Sequence, residues 1–527
     1  MAQVTIFPSF LSLPKRAGPK RLGSPRAGLL SGADPGIGRA ALVLLLVAVA
    51  VRCLQFGNPL VHVDEQFYLL VGGRIWQGAL PYVDIWDRKP VGLFLLFALF
   101  RAGGSDGVLA YQLTATLCLW LTALLLFRMA CRIAPRGGAL AAGILYILWF
   151  NLAGGEGGQS PVYYNLPVAA AMMFLLRAHD RARHGHNDYA RAGLWIMLLF
   201  GIALQIKYSA LFEGIFAGMA LLVLSWRNGA TARQLAGNAV LWVGCALAPT
   251  LVAAAFYWHV GHLGEWWFAN FQSILLRQPQ PPDIIPKRIG KMAQLMVPFL
   301  LAIPLRRWLG CRPEGAQARF AMAFLDAWAA SALLGVILFG TWFDHYALPL
   351  FAPFSVIAAP IWRHRMGRAG LCLMMIVSLV IGQRMIFKHQ SSRGNARELA
   401  GAVASLQGMQ NCPFVYSGFI ALYDAGHACM PTTRSFPSHL RANNERGATG
   451  IDQVAEVRHI LALQPDRIMV MEPGFKDENP ITRAMLYAAL NRHYRPVFRF
   501  QGRKSDYVVY GRIGTIPPSM QEDGDHR

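Results

Sequence analysis

The chain alternates between long apolar stretches and short polar or basic segments. A helix that crosses a bilayer needs about 20 apolar residues, within a range of about 17–25. Stretches of this kind lie near 40–56, 107–127, 138–154, 162–178, 192–207, 209–226, 236–258, 290–305, 320–340, 345–362 and 369–385. They predict an all-α polytopic bundle of about eleven transmembrane helices. The run VGLFLLFALF (91–100) lies between Pro90 and Arg101 and is too short to cross. It predicts a helix that lies in the interface, or dips in and returns. The stretch 192–226 has no clear turn and carries Lys207 in its middle. Two short spans there keep Arg227 and Arg233 on the side of the other arginine clusters, so two are expected.

Every second loop is then basic: Arg128, Arg132 and Arg136; Arg177, Arg181, Arg183 and Arg191; Arg227 and Arg233; Arg306, Arg307 and Arg312; Arg363, Arg365 and Arg368. The positive-inside rule places these loops in the cytoplasm. The segments 57–106, 154–161, 259–289 and 341–344 fall on the opposite face, with everything after about 386. Residues 1–39 are basic and rich in Pro and Gly, which reads as a cytoplasmic tail before an uncleaved first span.

Beyond 385 the pattern changes. Helical periodicities (ARELAGAVASL, VAEVRHILALQ, ITRAMLYAALNRHY) alternate with strand-like runs (PFVYSG, DRIMVME, SDYVVYGRI). A small extracytoplasmic α/β domain over 386–515 is expected, then a disordered tail, 516–527.

Composition agrees with the membrane class: 54% hydrophobic residues, 15% charged, and a mean hydropathy of +0.35. The net charge of +22 invites a nucleic-acid reading. The positions of the basic residues, between apolar stretches, argue against one. Of the eight cysteines only Cys412 and Cys429 fall in a polar region, where they can pair if it faces an oxidising compartment. No CxxC or HExxH motif, phosphate-binding glycine loop or internal repeat is present.

Candidate chemistry collects in the loops opposite the arginine clusters. HVDEQFYLLVGGRIWQGALPYVDIWDRKP (62–90) carries Asp64 and Glu65, then Asp84, Asp87, Arg88 and Lys89. The acid pair suits either the start of a helix, where its dipole favours anions, or a general base at the membrane surface. DIWDRKP suits either interfacial anchoring or phosphate binding by Arg88 or Lys89. Glu156, among glycines in AGGEGGQSP, is either part of a plain turn or a ligand contact. Lys207 either snorkels from a helix end or meets a phosphate inside the bundle. In TWFDHYALPL, Trp342 and Tyr346 suit an aromatic belt, and His345 with Tyr346 suits a phosphate site. His259 and His262 are weaker candidates, and GEWWFANFQ (264–272) reads as an interfacial amphipathic helix.

The loop 62–90 resembles the first outer loop of polytopic GT-C glycosyltransferases. These include protein O-mannosyltransferases, lipid A aminoarabinose transferases and related lipopolysaccharide sugar transferases. The family pattern is Asp-Glu, a Tyr, a Gly, then Lys-Pro-Pro before a juxtamembrane helix. Asp64, Glu65, Tyr68, Gly78, Lys89 and Pro90 match it, with Val91 in place of the second Pro. More loosely, Lys207 matches a lysine of the family's middle spans, and DHYALPL looks like its HY-x-x-P opening of a late span. The family's Asn-x-Glu is represented by Asn165, with Pro167 at the acidic position; either Glu156 supplies the second acid from its loop or that acid is missing.

The resemblance implies transfer of a hexose or pentose from a polyprenyl-phosphate carrier to a lipid, glycan or protein acceptor on the extracytoplasmic face of a bacterial inner membrane. In that chemistry Asp64, with Glu65, accepts a proton or orients the attacking group. Tyr68, Arg88, Lys89, Glu156, Lys207, His345 and Tyr346 bind substrate, the cations stabilising the phosphate leaving group. Paired acids can take Mg²⁺ or Mn²⁺ through oxygen ligands. A lipid-attached phosphate can instead be neutralised by Lys and Arg, so no required metal is expected. A transporter or flippase of lipid-linked intermediates, or a non-enzymatic envelope assembly protein, would also use outward-facing charges. The transporter would more often show internal repeats.

Overall fold

The computed structural model describes residues 35–516; the expectations for 1–34 and 517–527 lie outside it. The apolar stretches form helices α1 (Pro35–Arg52), α4 (Val108–Ala130), α5 (Arg136–Phe150), α6 (Ser160–Arg183), α7 (Tyr189–Leu204), α8 (Leu211–Arg227) and α9 (Ala232–His259). The series continues with α11 (Ile285–Trp308), α12 (Gly315–Phe339), α13 (Phe351–Ala358) and α14 (Arg365–Arg393). Between α1 and α4 lie α2 (Val63–Trp76) and α3 (Val91–Phe100), and α10 (Leu263–Trp267) follows α9. By length and apolarity, eight helices among the described residues can cross a membrane. The protein is a multi-pass membrane protein.

Three expected spans fall short of that criterion alone, each for a visible reason. α6 carries Tyr163, Tyr164, Asn165, Pro167 and Arg177 among its apolar residues, which lower its apolarity. α7 has sixteen residues and stops at Leu204, and the chain then runs through Gln205–Ala210 before α8 begins, so 192–226 forms two helices. α13 has eight residues because the chain tightens into 3₁₀ turns on either side, at Asp344–Ala347 and Ala359–Arg363. Its surroundings from Ala347 to Ile361 are almost wholly buried in protein, where irregular backbone escapes contact with lipid.

α3 is ten residues long and packs along α2, with Phe67 against Phe94 and the Trp76 indole donating to the Ala98 carbonyl. Gly72 of α2 sits against the backbone of Phe97 and Ala98, where any Cβ would come within 2.8 Å, so the two helices meet backbone to backbone.

After α14 come α15 (Ala396–Ala404), α16 (Ala421–Ala425), α17 (Pro437–Arg441), α18 (Gln453–Ala462) and α19 (Pro480–His493). They surround a sheet of β1 (Phe414–Val415), β2 (Arg467–Glu472), β3 (Tyr494–Gln501) and β4 (Asp506–Arg512), in the order β1-β2-β4-β3. β1 and β2 are parallel and the other pairs antiparallel. The edge strand β3 escapes the sequence pattern: it holds three polar or basic positions, and Pro496 beside a register shift, which an edge tolerates.

Alternation along β2 and β4 divides the two faces of the sheet. Ile468, Val470 and Val508 join Val457, Ile460 and Leu486 of α18 and α19 in a local core. Met469, Tyr507 and Val509 belong instead to the large core that continues into the helical bundle. This face is covered by Phe419 and α15 of the same domain, and the domain meets the bundle where α16 packs on α2. Arg101 adds a two-pronged ion pair to Asp424 at 2.6 and 3.0 Å, and Arg74 donates to the Ala428 carbonyl.

Cys412 and Cys429 form a disulfide in this domain, while Cys53, Cys118, Cys131, Cys245, Cys311 and Cys372 are free thiols. Peptide mapping of the unreduced protein should recover the 412–429 linked pair; free thiols at both positions would reject the bond and the oxidising surroundings it calls for.

Candidate active site

Sequence neighbours Asp64 and Glu65 diverge because successive helix positions are turned by about 100°. The helix is capped by His62 rather than by Asp64: His62 Nδ1 accepts from the Asp64 amide at 3.3 Å. Gln159 Nε2 also lies 2.9 Å from that nitrogen and donates to Asp64 Oδ2 at 3.1 Å. Two donors facing Nδ1 leave it unprotonated, so the 3.5 Å approach of His62 Nδ1 to Asp64 Oδ2 is not an ion pair at neutral pH. Burial drives the His62 pKa down to about 4, against a smaller opposing pull from Asp64. Burial also works against the Asp64 charge, but His62, Lys89, His345 and the Gln159 bond together outweigh it and hold the carboxyl below its usual range.

Lys89 stands opposite. Its amide donates to Asp87 Oδ1 at 3.0 Å, its carbonyl accepts from the Tyr82 hydroxyl at 2.7 Å, and its ammonium lies 3.6 Å from Asp87 Oδ1 and 5.7 Å from the Tyr68 ring centre. Tyr82 takes φ +73° in the turn 80–85, where Asp84 accepts from the Leu80 amide at 2.7 Å. Burial disfavours the Lys89 charge, yet Asp87, Tyr68 and Asp64 more than restore it.

Lys207 occupies the extended link between α7 and α8, with its ammonium 4.3 Å from the Tyr346 ring centre. His345 and Tyr346 sit in the single turn Asp344–Ala347, their rings 4.8 Å apart, and Asp344 is paired with Lys291. The ionisable groups of Asp64, Lys89, Lys207, His345 and Tyr346 are close enough to act on one another. Residues from four separate stretches of sequence thus meet at one end of the bundle, with Tyr68 against them.

Three of the residues singled out by the sequence lie elsewhere. Arg88 turns to the C-terminal domain, donating to both oxygens of Glu445 at 3.0 and 2.6 Å and to Ser273 at 3.1 Å. Glu65 is 1% exposed and faces the glycine loop, where a Cβ on Gly157 would lie 2.5 Å from its Oε1. Glu156, 2% exposed, lies close to it and is held by His389 and by Arg393 at 3.7 Å. Arg52 fastens the same loop through the Gly155 and Gly157 carbonyls. Asn165 ties α6 to Tyr146 and to the Leu348 carbonyl. Among the described residues no group of three or more His, Cys, Asp or Glu side chains is arranged to hold a metal ion.

Other residues of the site lie outside the set that the sequence singles out. His62 and Gln159 hold Asp64, and their only signal is spacing within a loop; Asp87, already marked by the charged loop, holds Lys89. Glu213, inside the apolar run LFEGIFAGMALL, was legible as an intramembrane acid; Trp328 donates to it at 2.6 Å. It lines a small cavity with Ser209 and Tyr346.

The fold has counterparts among solved structures. ArnT from Cupriavidus metallidurans bound to undecaprenyl phosphate is 13% identical, with a TM-score of 0.57 over 92% of this chain and 98% of that one. The chain has a GT-C-like fold. The oligosaccharyltransferase of Archaeoglobus fulgidus in its apo form is 10% identical, with a TM-score of 0.49, over 92% of this chain and 75% of that one. At these identities the likeness concerns the fold. No protein-family model matches the chain, and no curated protein matches its sequence.

Glu65 gives a pH test. Burial, then Glu156, then Asp64 push its carboxyl well above the ordinary range, so the folded protein holds a proton that the unfolded chain releases. Stability from this group is complete below the unfolded value, about 4.3, and declines as pH rises towards the folded value. The melting temperature of wild type should therefore fall more steeply between pH 5 and 8 than that of Glu65→Gln. Parallel slopes would mean that Glu65 is ionised in the folded protein.

Proposed function

We propose that the protein is a membrane glycosyltransferase that moves a sugar from a polyprenyl-phosphate donor to an acceptor on the extracytoplasmic face. The observation that carries this reading is one carboxylate, Asp64, within electrostatic reach of Lys89, Lys207 and His345, with the Lys207 ammonium on the Tyr346 ring and the Lys89 ammonium on the Tyr68 ring, in a GT-C-like bundle. The undecaprenyl phosphate bound to ArnT, which shares the fold, supports a donor of this class.

The arrangement suits the chemistry. The acceptor hydroxyl attacks the anomeric carbon, forming one C–O bond as the bond from that carbon to the phosphate oxygen breaks. Asp64 orients the hydroxyl and takes its proton, a role that needs the carboxylate ionised, as its cationic neighbours keep it. The leaving phosphate gains negative charge, and Lys89 and Lys207 stabilise it in a partly dehydrated site. His345 and Tyr346 can donate to its oxygens, and Tyr68 carries Lys89. Glu65 on α2 and Glu156 in the glycine loop lie together away from the phosphate groups. No divalent metal is needed, because lysines already neutralise the phosphate.

The basic loops support a bacterial inner-membrane protein with its N-terminus in the cytoplasm. The Cys412–Cys429 disulfide supports a periplasmic C-terminal domain. The acceptor is a lipid, glycan or protein, and the sugar a hexose or a pentose.

In membranes of the native host, Asp64→Asn should lower polyprenyl-phosphate-sugar turnover by about 10²–10⁴-fold, with the protein still inserted, and reproduce the glycan change of a deletion. Wild-type turnover in Asp64→Asn would reduce the acid pair to a helix start. It would favour the transporter or assembly-protein reading.

A further inference from the structure

The C-terminal domain grips the loop that presents Lys89, and the grip is specific. The Trp86 amide donates to the Thr433 carbonyl at 2.9 Å, and the Trp86 ring packs edge-on against His439 at 4.9 Å between centres. Arg434 lies over the same ring. Glu445, 2% exposed, takes two hydrogen bonds from Arg88 and a third contact, at 2.8 Å, from Arg277 of the 259–289 loop. Ser273 of that loop receives Arg88 Nε and donates to the Ala448 carbonyl at 2.6 Å. One carboxylate of the C-terminal domain therefore joins the two loops that border the site.

The anchor itself is rigid. The Ala442 and His439 carbonyls accept from Gln453 of α18, the Asn443 amide donates to Asp477, and Ala442 bridges Glu478. Arg88 uses three of its five N–H groups on Glu445 and Ser273, in the bidentate geometry that restricts a guanidinium most. Lys89 is the next residue, and its own backbone is pinned at both ends by Asp87 and Tyr82. Nothing in this chain of contacts needs Arg88 to touch substrate.

We propose that Glu445 is a positioning residue: by holding Arg88 it fixes Lys89 towards the phosphate of the lipid carrier, so the C-terminal domain sets the geometry of the membrane-embedded site. The proposal rests on the donor-phosphate role given to Lys89 above. Arg88 then acts as a brace for Lys89 and not as a phosphate ligand.

The test uses the full chain in nanodiscs, undecaprenyl phosphate as the probe, and four proteins: wild type, Lys89→Met, Glu445→Gln and the double variant. Lys89→Met and Glu445→Gln should each weaken binding about ten-fold or more, the scale of a lost charge-assisted hydrogen bond. The double variant should bind no more weakly than Lys89→Met alone, because Glu445 has no other route to the phosphate. Multiplying losses would overturn the proposal, as would wild-type binding in Glu445→Gln while Lys89→Met is weakened; in both cases the donor reading stands. If Lys89→Met binds as wild type, or wild type does not bind the probe, the donor reading fails and the proposal falls with it. Melting temperatures without the probe separate a merely structural effect, which would appear equally in both Lys89 backgrounds. Arg88→Lys, which keeps the charge but loses the fork, gives the same cycle if Glu445→Gln does not insert.

Discussion

A charge brought out of water next to a bilayer must find a counter-charge or a hydrogen bond in the protein, or be given up by protonation, and this constraint organises the whole end of the bundle that carries the site. The stretch 62–90 holds seven acidic or basic side chains, and most are held by a group from another part of the chain. Arg88 meets Glu445, Asp64 meets Gln159, and Glu65 shares its pocket with the glycine loop and Glu156. A broken buried ion pair costs about 3–5 kcal/mol, a large part of the stability of an ordinary domain. Arg277 would recover some of that loss at Glu445. The pairings thus decide where each loop can sit.

They also separate two kinds of acid. Asp64 faces cations and is held ionised; Glu65, one residue later, is buried beside another carboxylate and is held neutral. The same side-chain chemistry serves one environment that a proton acceptor needs and one that a packed interior needs. The separation follows from a helix turn of about 100° per residue and from Gly157, which leaves room for the Glu65 carboxylate but none for a side chain of its own.

The C-terminal domain belongs to this arrangement. Its sheet is covered on one face by α18 and α19 and on the other by α15 and Phe419, and α16 carries that second face onto α2 of the bundle. Together with the Arg101–Asp424 and Arg88–Glu445 pairs, that face joins the loop that carries Lys89 to a soluble-type scaffold.

Much of the architecture was legible from the chain alone. Apolar length and the alternation of arginine-rich loops mark the helices, the short run 91–100 and the break at Lys207, because transfer of residues into hydrocarbon is a local property. The strands of the sheet appear in their alternation, except β3, whose proline and basic residues disguise an edge. Asp64, Lys89, Lys207, His345 and Tyr346 could each be named from the chain as polar groups beside apolar runs, but not their grouping. Nor could their partners. That Arg88 turns to Glu445, 357 residues away, that Glu65 faces Gly157 and not Lys89, and that His62 caps the helix are outcomes of packing. A sequence states which charges exist; only the folded chain, by choosing which of them lose their water together, decides which ones pair.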